Sequence, residues 1–377
     1  MFEDLTLLQL QQFWWIIISL LGGLFAFIMF VQGGQTLLGR LSKGDETYKT
    51  MLINSLGRKW ELGFTTLVLF GGALFAAFPL FYATSFGGAY WVWMSILFCF
   101  IIQAVSYEYR KKPNNFLGQK VYETFLFING SLGVILLGVA IATFFSGSSF
   151  SVDENNFSHW HNASRGLESL FSIFNLSLGF ALFFLVRILG ALYFINNIEN
   201  DTIRERSVKS IKIDMPIFLF FFLIFIYLLL VKNGFSYDEE QIVFIQKYKY
   251  FINFLEMPFV FAMFILGVFM VVIGVFFTIH FKKTCCIKTS GLGVVLTVMA
   301  LFLNVGLNGT SYYPSSYDLQ SSLTIMNSSG SHYTLTVMSY AALMVPFVLG
   351  YIFYVWYQMD KVKITKEEIE DPHAHNY

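Results

Sequence analysis

Along this chain apolar residues gather in long blocks, separated by short segments where Lys, Arg, Asp, Glu, Gly and Asn collect. A helix needs about 20 apolar residues to cross a hydrocarbon core. Nine blocks meet that length within a few residues: 13–38, 62–83, 89–107, 121–145, 167–198, 213–231, 254–281, 291–307 and 335–356. Some are apolar all round, as in I-F-L-F-F-F-L-I-F at 217–225, with no polar stripe to face a water-filled channel. The pattern predicts an all-α, polytopic integral membrane protein, a single transmembrane domain over 1–377 with nine helices and a short polar tail at 357–377.

Composition agrees. Hydrophobic residues make up 56% of the 377 and charged residues 13%, against roughly a quarter in a soluble domain. Net charge is zero, so no basic excess points to nucleic acid. The distribution of charge is more informative. Segments 39–60, 108–120, 199–212, 282–290 and 357–377 hold 19 of the 24 Lys and Arg, and the alternate segments hold only Arg165, Lys232, Lys247 and Lys249. The positive-inside rule then puts the N-terminus outside and the C-terminus in the cytoplasm. Glu3 and Asp4 precede a first block too long for a signal h-region, so no cleavage is expected.

Candidate chemistry centres on Gly57 to Pro79. Arg58, Lys59 and Trp60 mark a membrane interface, Trp60 being its aromatic anchor, and Glu61 follows at the mouth of an apolar helix. A carboxylate inside the membrane is costly. Gln32 and Gln35, three apart and so on one helix face, are expected at the same depth, with Gly33 and Gly34 allowing a neighbouring helix close. Two readings stand: Glu61 pairs with Arg58 or Lys59 while the glutamines bond between helices, or the three line a wet notch that admits protons. Arg187, deep in the fifth block, either snorkels or enters a buried ion pair with Glu61 or a partner's acid. Glu168 and Glu256 lie at helix ends, where carboxylates cost little.

Redox and metal chemistry find few ligands. Of six histidines, only His280 borders a span; His159 and His161, like His373 and His375, form isolated H-x-H pairs without further ligands at metal spacing. Cys99, Cys285 and Cys286 give no disulfide framework or haem-attachment motif. No nucleotide, nucleophile-elbow or metal motif is present, so no catalytic centre, metal ligand or haem ligand is expected in this chain. A secondary transporter is the rival from another class, but the prolines in or near spans (Pro79, Pro216, Pro258, Pro346) sit near helix ends rather than breaking paired helices at the midplane.

G-R-K-W-E at 57–61, G-G-A-L-F-A-A-F-P at 71–79 and Y-A-T-S-F-G-G-A-Y at 82–90 resemble the second and third helices of subunit II of the bacterial cytochrome bd quinol oxidases. P-S-S-Y-D-L-Q-S-S-L-T-I at 314–325, L-T-V-M at 335–338, V-P at 345–346 and I-T-K-E-E-I-E at 364–370 resemble its last third, while 110–250 matches only in helix count. The resemblance implies two four-helix bundles plus a peripheral helix, in the bacterial inner membrane, within a terminal oxidase that oxidises quinol and reduces dioxygen to water. It implies that haem b and haem d sit in a partner subunit I, which this chain stabilises; small accessory subunits and a structural quinone are compatible with it. It also places Glu61 where the family carries an acid implicated in a proton path. Many relatives have carboxylates where Gln32 and Gln35 stand; a glutamine holds water but releases no proton near pH 7. A purely structural scaffold differs from this reading only in what Glu61 does.

Overall fold

The computed structural model describes residues 2–113 and 115–370, with nothing assigned to the side chain of Glu370. Among the described residues nine helices are long and apolar enough to cross a membrane. They are α1 (Leu7–Gln35), α2 (Glu46–Ala77), α3 (Tyr90–Tyr109), α4 (Gln119–Ser146), α5 (Ile173–Asn197), α6 (Asp201–Val231), α7 (Pro258–Phe281), α8 (Cys286–Gly306) and α9 (His332–Lys361). A short α10 (Lys366–Glu370) follows.

Local chemistry extends these helices past the apolar blocks. Thr6 and Gln9 form a capping box that starts α1 before its apolar run. Asp45 caps α2 by accepting from the Tyr48 N–H, and Thr50 to Gly57 are buried, so much of the segment expected as a loop at 39–60 is helix. Asn200 caps α6 in the same way, and its first turns carry charged residues along the protein's basic end.

Helices α1 to α4 pack as one group and α5 to α8 as a second, joined where α1 meets α5 and α8 and where α4 meets α5. Helices α1 and α5 are the axis, with 72% of their most apolar windows buried; α9, at 17%, lies outside against α1 and α2. Between helices surrounded by lipid, packing rather than water exclusion drives association, and small residues let backbones approach. At the α1–α5 crossing a Cβ on Gly33 would fall 1.9 Å from the Val186 carbonyl oxygen, and one on Gly190 2.5 Å from the Gly34 nitrogen.

The end opposite the basic loops is closed by irregular chain. Two hairpins, β1 (Phe150–Val152) with β2 (Ser158–Trp160) and β3 (Gly234–Tyr237) with β4 (Val243–Gln246), lie there. The segment 310–325 dips inward: Tyr312 is fully buried among Trp15, Phe78, Phe81 and Phe144, and its hydroxyl bonds Ser328 at 2.7 Å. Non-helical backbone survives at such a place because side chains and neighbouring carbonyls satisfy it. Ser311 and Ser315 donate to the carbonyls of Leu323 and Phe150.

Candidate functional site: a buried amide cluster near the basic end

Four amide side chains from three helices meet beside the α1–α5 crossing. Gln32 Nε2 donates to Gln103 Oε1 at 2.9 Å, Asn129 Nδ2 donates to Gln35 Oε1 at 3.1 Å and to the same Gln103 oxygen, and Gln35 Nε2 donates to the Tyr107 hydroxyl at 3.2 Å. All are buried. The local backbone explains how they converge. Asn129 opens a π-helical turn, Asn129–Gly133, that interrupts α4. Gly130 in that turn lies against the Gln32 backbone, where a Cβ would stand 2.2 Å from its carbonyl oxygen. π-turns of this kind are frequent at functional sites. Two acceptors in the cluster, Gln32 Oε1 and Asn129 Oδ1, have no partner, which in an apolar interior calls for a donor such as water.

Trp60 roofs the cluster, its ring stacked on Tyr107 at 5.6 Å and 12°, so the expected interface anchor is half-buried against α3. Gly63, one turn on, faces Gln32. Glu61 lies between these two in sequence yet is exposed and makes no bond or ion pair among the described residues. The structure thus brings Gln32 and Gln35 together and leaves Glu61 outside, on the face of α2 turned away from them.

Neither expected cation pairs with Glu61. Arg58 binds Glu368 of α10, and Lys59 is fully buried, its Nζ 3.2 Å from Asp360 Oδ1 and 5.0 Å from the Trp356 ring centre. Asp360 also accepts from Tyr193 at 3.2 Å, Asn197 at 3.1 Å and Trp356 at 2.7 Å. Arg187 is likewise not paired with Glu61 and does not snorkel: it is buried against Asp214 of α6 at 3.3 Å, and its Nη1 donates to Thr36 at 2.9 Å. Ser210 completes the shell of Asp214, donating at 3.0 Å. Thr36, the C-cap of α1, follows Gln35 directly, so the ion pair and the amide cluster meet at the end of α1.

Glu168 accepts from Ser164, Asn162 and the Gly166 N–H, and Glu256 from Asn308; both fasten chain at helix ends. His159, His161, His280 and His332 are all exposed, and no group of three metal-ligand side chains occurs among the described residues. His373 and His375 lie outside them. Gln103, Asn129, Tyr107, Asp214 and Asp360 escaped the sequence reading. The available signal was a lone polar residue inside or at the edge of an apolar block, which marks burial against a partner without naming it.

A family model described as cytochrome bd terminal oxidase subunit II matches residues 10–359, the central part of the chain included. The chain is 25% identical to the cytochrome bd-I ubiquinol oxidase subunit 2 of Escherichia coli K12, over 96% of its own length and 97% of the relative's. It is 26% identical to the cytochrome bd ubiquinol oxidase subunit 2 of Bacillus subtilis, over 95% and 98%. A chain of the bd oxidase structure from Geobacillus thermodenitrificans superposes with a TM-score of 0.62 at 15% identity, over 93% of this chain and 98% of that one, a likeness of fold. With nine apolar helices among the described residues and a match along nearly its whole length, this chain belongs to the cytochrome bd terminal oxidase subunit II family.

Proposed function

We propose that this chain is the haem-free half of an oxidase that passes electrons from quinol to dioxygen, and that it supplies part of the route by which protons enter from the cytoplasm. Haem b, haem d and the quinol-oxidising site belong to subunit I in this reading. All described histidines, the commonest haem ligands, are exposed, which suits haem ligation by the partner subunit. The helices α2 and α9 have the smallest buried shares of the nine spans, 28% and 17%, which suits a broad apolar face for the partner subunit. The basic end faces the cytoplasm under the positive-inside rule.

One observation carries the proton reading. Glu61 stands exposed on α2, while Trp60 and Gly63 on either side of it touch an amide cluster whose two unpartnered oxygens can accept hydrogen bonds from water. A carboxylate there can take up and release a proton, and water held by Gln32 and Asn129 can relay it inward; the amides themselves stay neutral. The test is Glu61→Gln in the complex purified through a tag on this chain. Reduced-minus-oxidised haem bands at wild-type height together with several-fold slower quinol-driven oxygen consumption are expected. Wild-type turnover with normal haem content would assign Glu61 to the subunit interface alone.

A further inference from the structure

At the end opposite the basic loops, the β1–β2 hairpin lies over the start of α3 and leaves a notch of about 300 Å³ between Gly87, Gly88, Ser158, His159, Trp160 and Arg165. The hairpin is pinned in place: Trp160 Nε1 donates to the Thr84 carbonyl at 2.9 Å, and Gly88 lies so close that a Cβ would stand 1.8 Å from the same nitrogen. Gly87 is different. A Cβ there would meet nothing within 4 Å, so its missing side chain leaves the floor open. Helix α3 begins beside it without a side-chain cap.

The wall of the notch is cationic. Arg165 sits on a left-handed turn, φ 35°, whose N–H bonds back to the Asn162 carbonyl at 3.1 Å. Its side chain is exposed and has no partner among the described residues. The nearby carboxylates are already engaged. Glu168 accepts from Ser164 at 2.6 Å, the Gly166 N–H at 2.8 Å and Asn162 at 3.3 Å. Asp153 accepts the N–H groups of Asn155 and Phe157 and bonds His159 at 3.1 Å. Although Glu168 keeps its charge nearby, among the described residues no carboxylate pairs with the Arg165 guanidinium. Around it Tyr90, Trp91, Phe157 and Phe171 are exposed, the aromatic fringe expected at headgroup depth.

We propose that this notch binds a phosphate group through the Arg165 guanidinium, whose planar donor fork matches two phosphate oxygens. Two sources carry that group to this place, a phospholipid headgroup with its chains along the exposed apolar side of α3, or free phosphate. The proposal does not rest on the proton-path reading.

Native mass spectrometry of the intact complex, released from nanodiscs of phosphatidylglycerol, tests it. Arg165→Gln keeps a non-glycine residue on the same turn, and Gly87→Phe fills the open floor from a different element. Each variant is expected to hold one phospholipid fewer per complex than wild type. In a second arm, inorganic phosphate is titrated into delipidated complex. Binding weakened about tenfold or more by either variant, with unchanged lipid counts, would identify free phosphate as the source; a tenfold change is about 1.4 kcal/mol. Equal lipid counts and equal phosphate binding in all three proteins would overturn the proposal. So would a crosslink joining position 165 to an acidic residue of the partner subunit in wild-type complex.

Discussion

Arg187 and Asp214 show what a buried charge demands of its neighbours. Asp214 is 2% exposed and takes the guanidinium, Ser210 and, more loosely, Arg40 at 3.9 Å. Removing one partner leaves the other charged and desolvated, a loss of about 3–5 kcal/mol, whereas replacing both by apolar residues is often near neutral. Asp214→Ala should therefore lower the denaturation temperature of the purified complex sharply, and Arg187→Met with Asp214→Leu should recover most of it. Equal losses in single and double variants would show that the pair matters through something other than its charge. Gln103 is the corresponding residue of the amide cluster, since its oxygen receives both Gln32 and Asn129. Gln103→Leu strands those two donors at about 1–3 kcal/mol each by the usual cost of an unsatisfied buried group. If water in the cluster relays protons, oxygen consumption should also slow at unchanged haem content. Full activity in a destabilised variant would leave the cluster a purely structural device. The sequence showed Gln32 and Gln35 because their three-residue spacing is visible in one helix. It hid Gln103 and Asn129 because contacts between helices far apart in the chain leave no local period.

At the scale of elements, apolar blocks were legible and their ends were not. Hydropathy registers the part of a helix that lies in lipid, but a polar cap and buried turns of mixed composition, as at Asp45 to Gly57, continue the helix beyond it. The hairpins went unseen for a related reason: strands of three or four residues are too short for alternation to stand out. The β1–β2 hairpin depends on Asp153. The Phe157 N–H, then His159 and the Asn155 N–H, hold its carboxyl below the usual 3.8. A lowered folded value means that this contribution is complete above about pH 3.8 and is lost as pH falls through the folded pKa. Pepsin cleavage within 150–161 should accordingly be slower in wild type than in Asp153→Ala above that range, with the two converging on acidification. A difference that persisted or widened in acid would contradict the assignment. At the helix crossing, Gly33→Ala should separate α1 from α5, because its Cβ would overlap backbone that cannot give way. The expected result is loss of assembled complex on a native gel, in contrast to Gly39→Ala, where the added carbon meets nothing within 4 Å.

Across the whole molecule the two groups of four helices repeat one arrangement: α1 packs on α8 as α5 packs on α4. F-I-M-F-V-Q-G-G at 27–34 and L-F-F-L-V-R-I-L at 182–189 echo each other in sequence, and both lie where α1 and α5 cross. The ninth helix has no counterpart in that pattern and little buried surface of its own, so something besides packing must hold it. The basic end supplies three ties: the buried Lys59–Asp360 pair, the Arg58–Glu368 pair, and the backbone of Ile364, which accepts from the Glu199 N–H at 2.9 Å and donates to the Asn197 carbonyl at 3.0 Å. Ile364 itself is fully buried. The tail after α9 thus acts as a clasp from α9 to α2 and α5, and its α10 pairs with Arg58, two residues before Trp60. Deleting residues 362–377 removes two ties and leaves Lys59–Asp360 alone. Chymotrypsin should then cut at Tyr357, exposed at the basic end of α9 just beyond its apolar block, and the complex should lose thermal stability while its haem bands persist at first. An uncut α9 and an unchanged denaturation temperature would mean that Asp360, with its four donors, holds the helix without the tail.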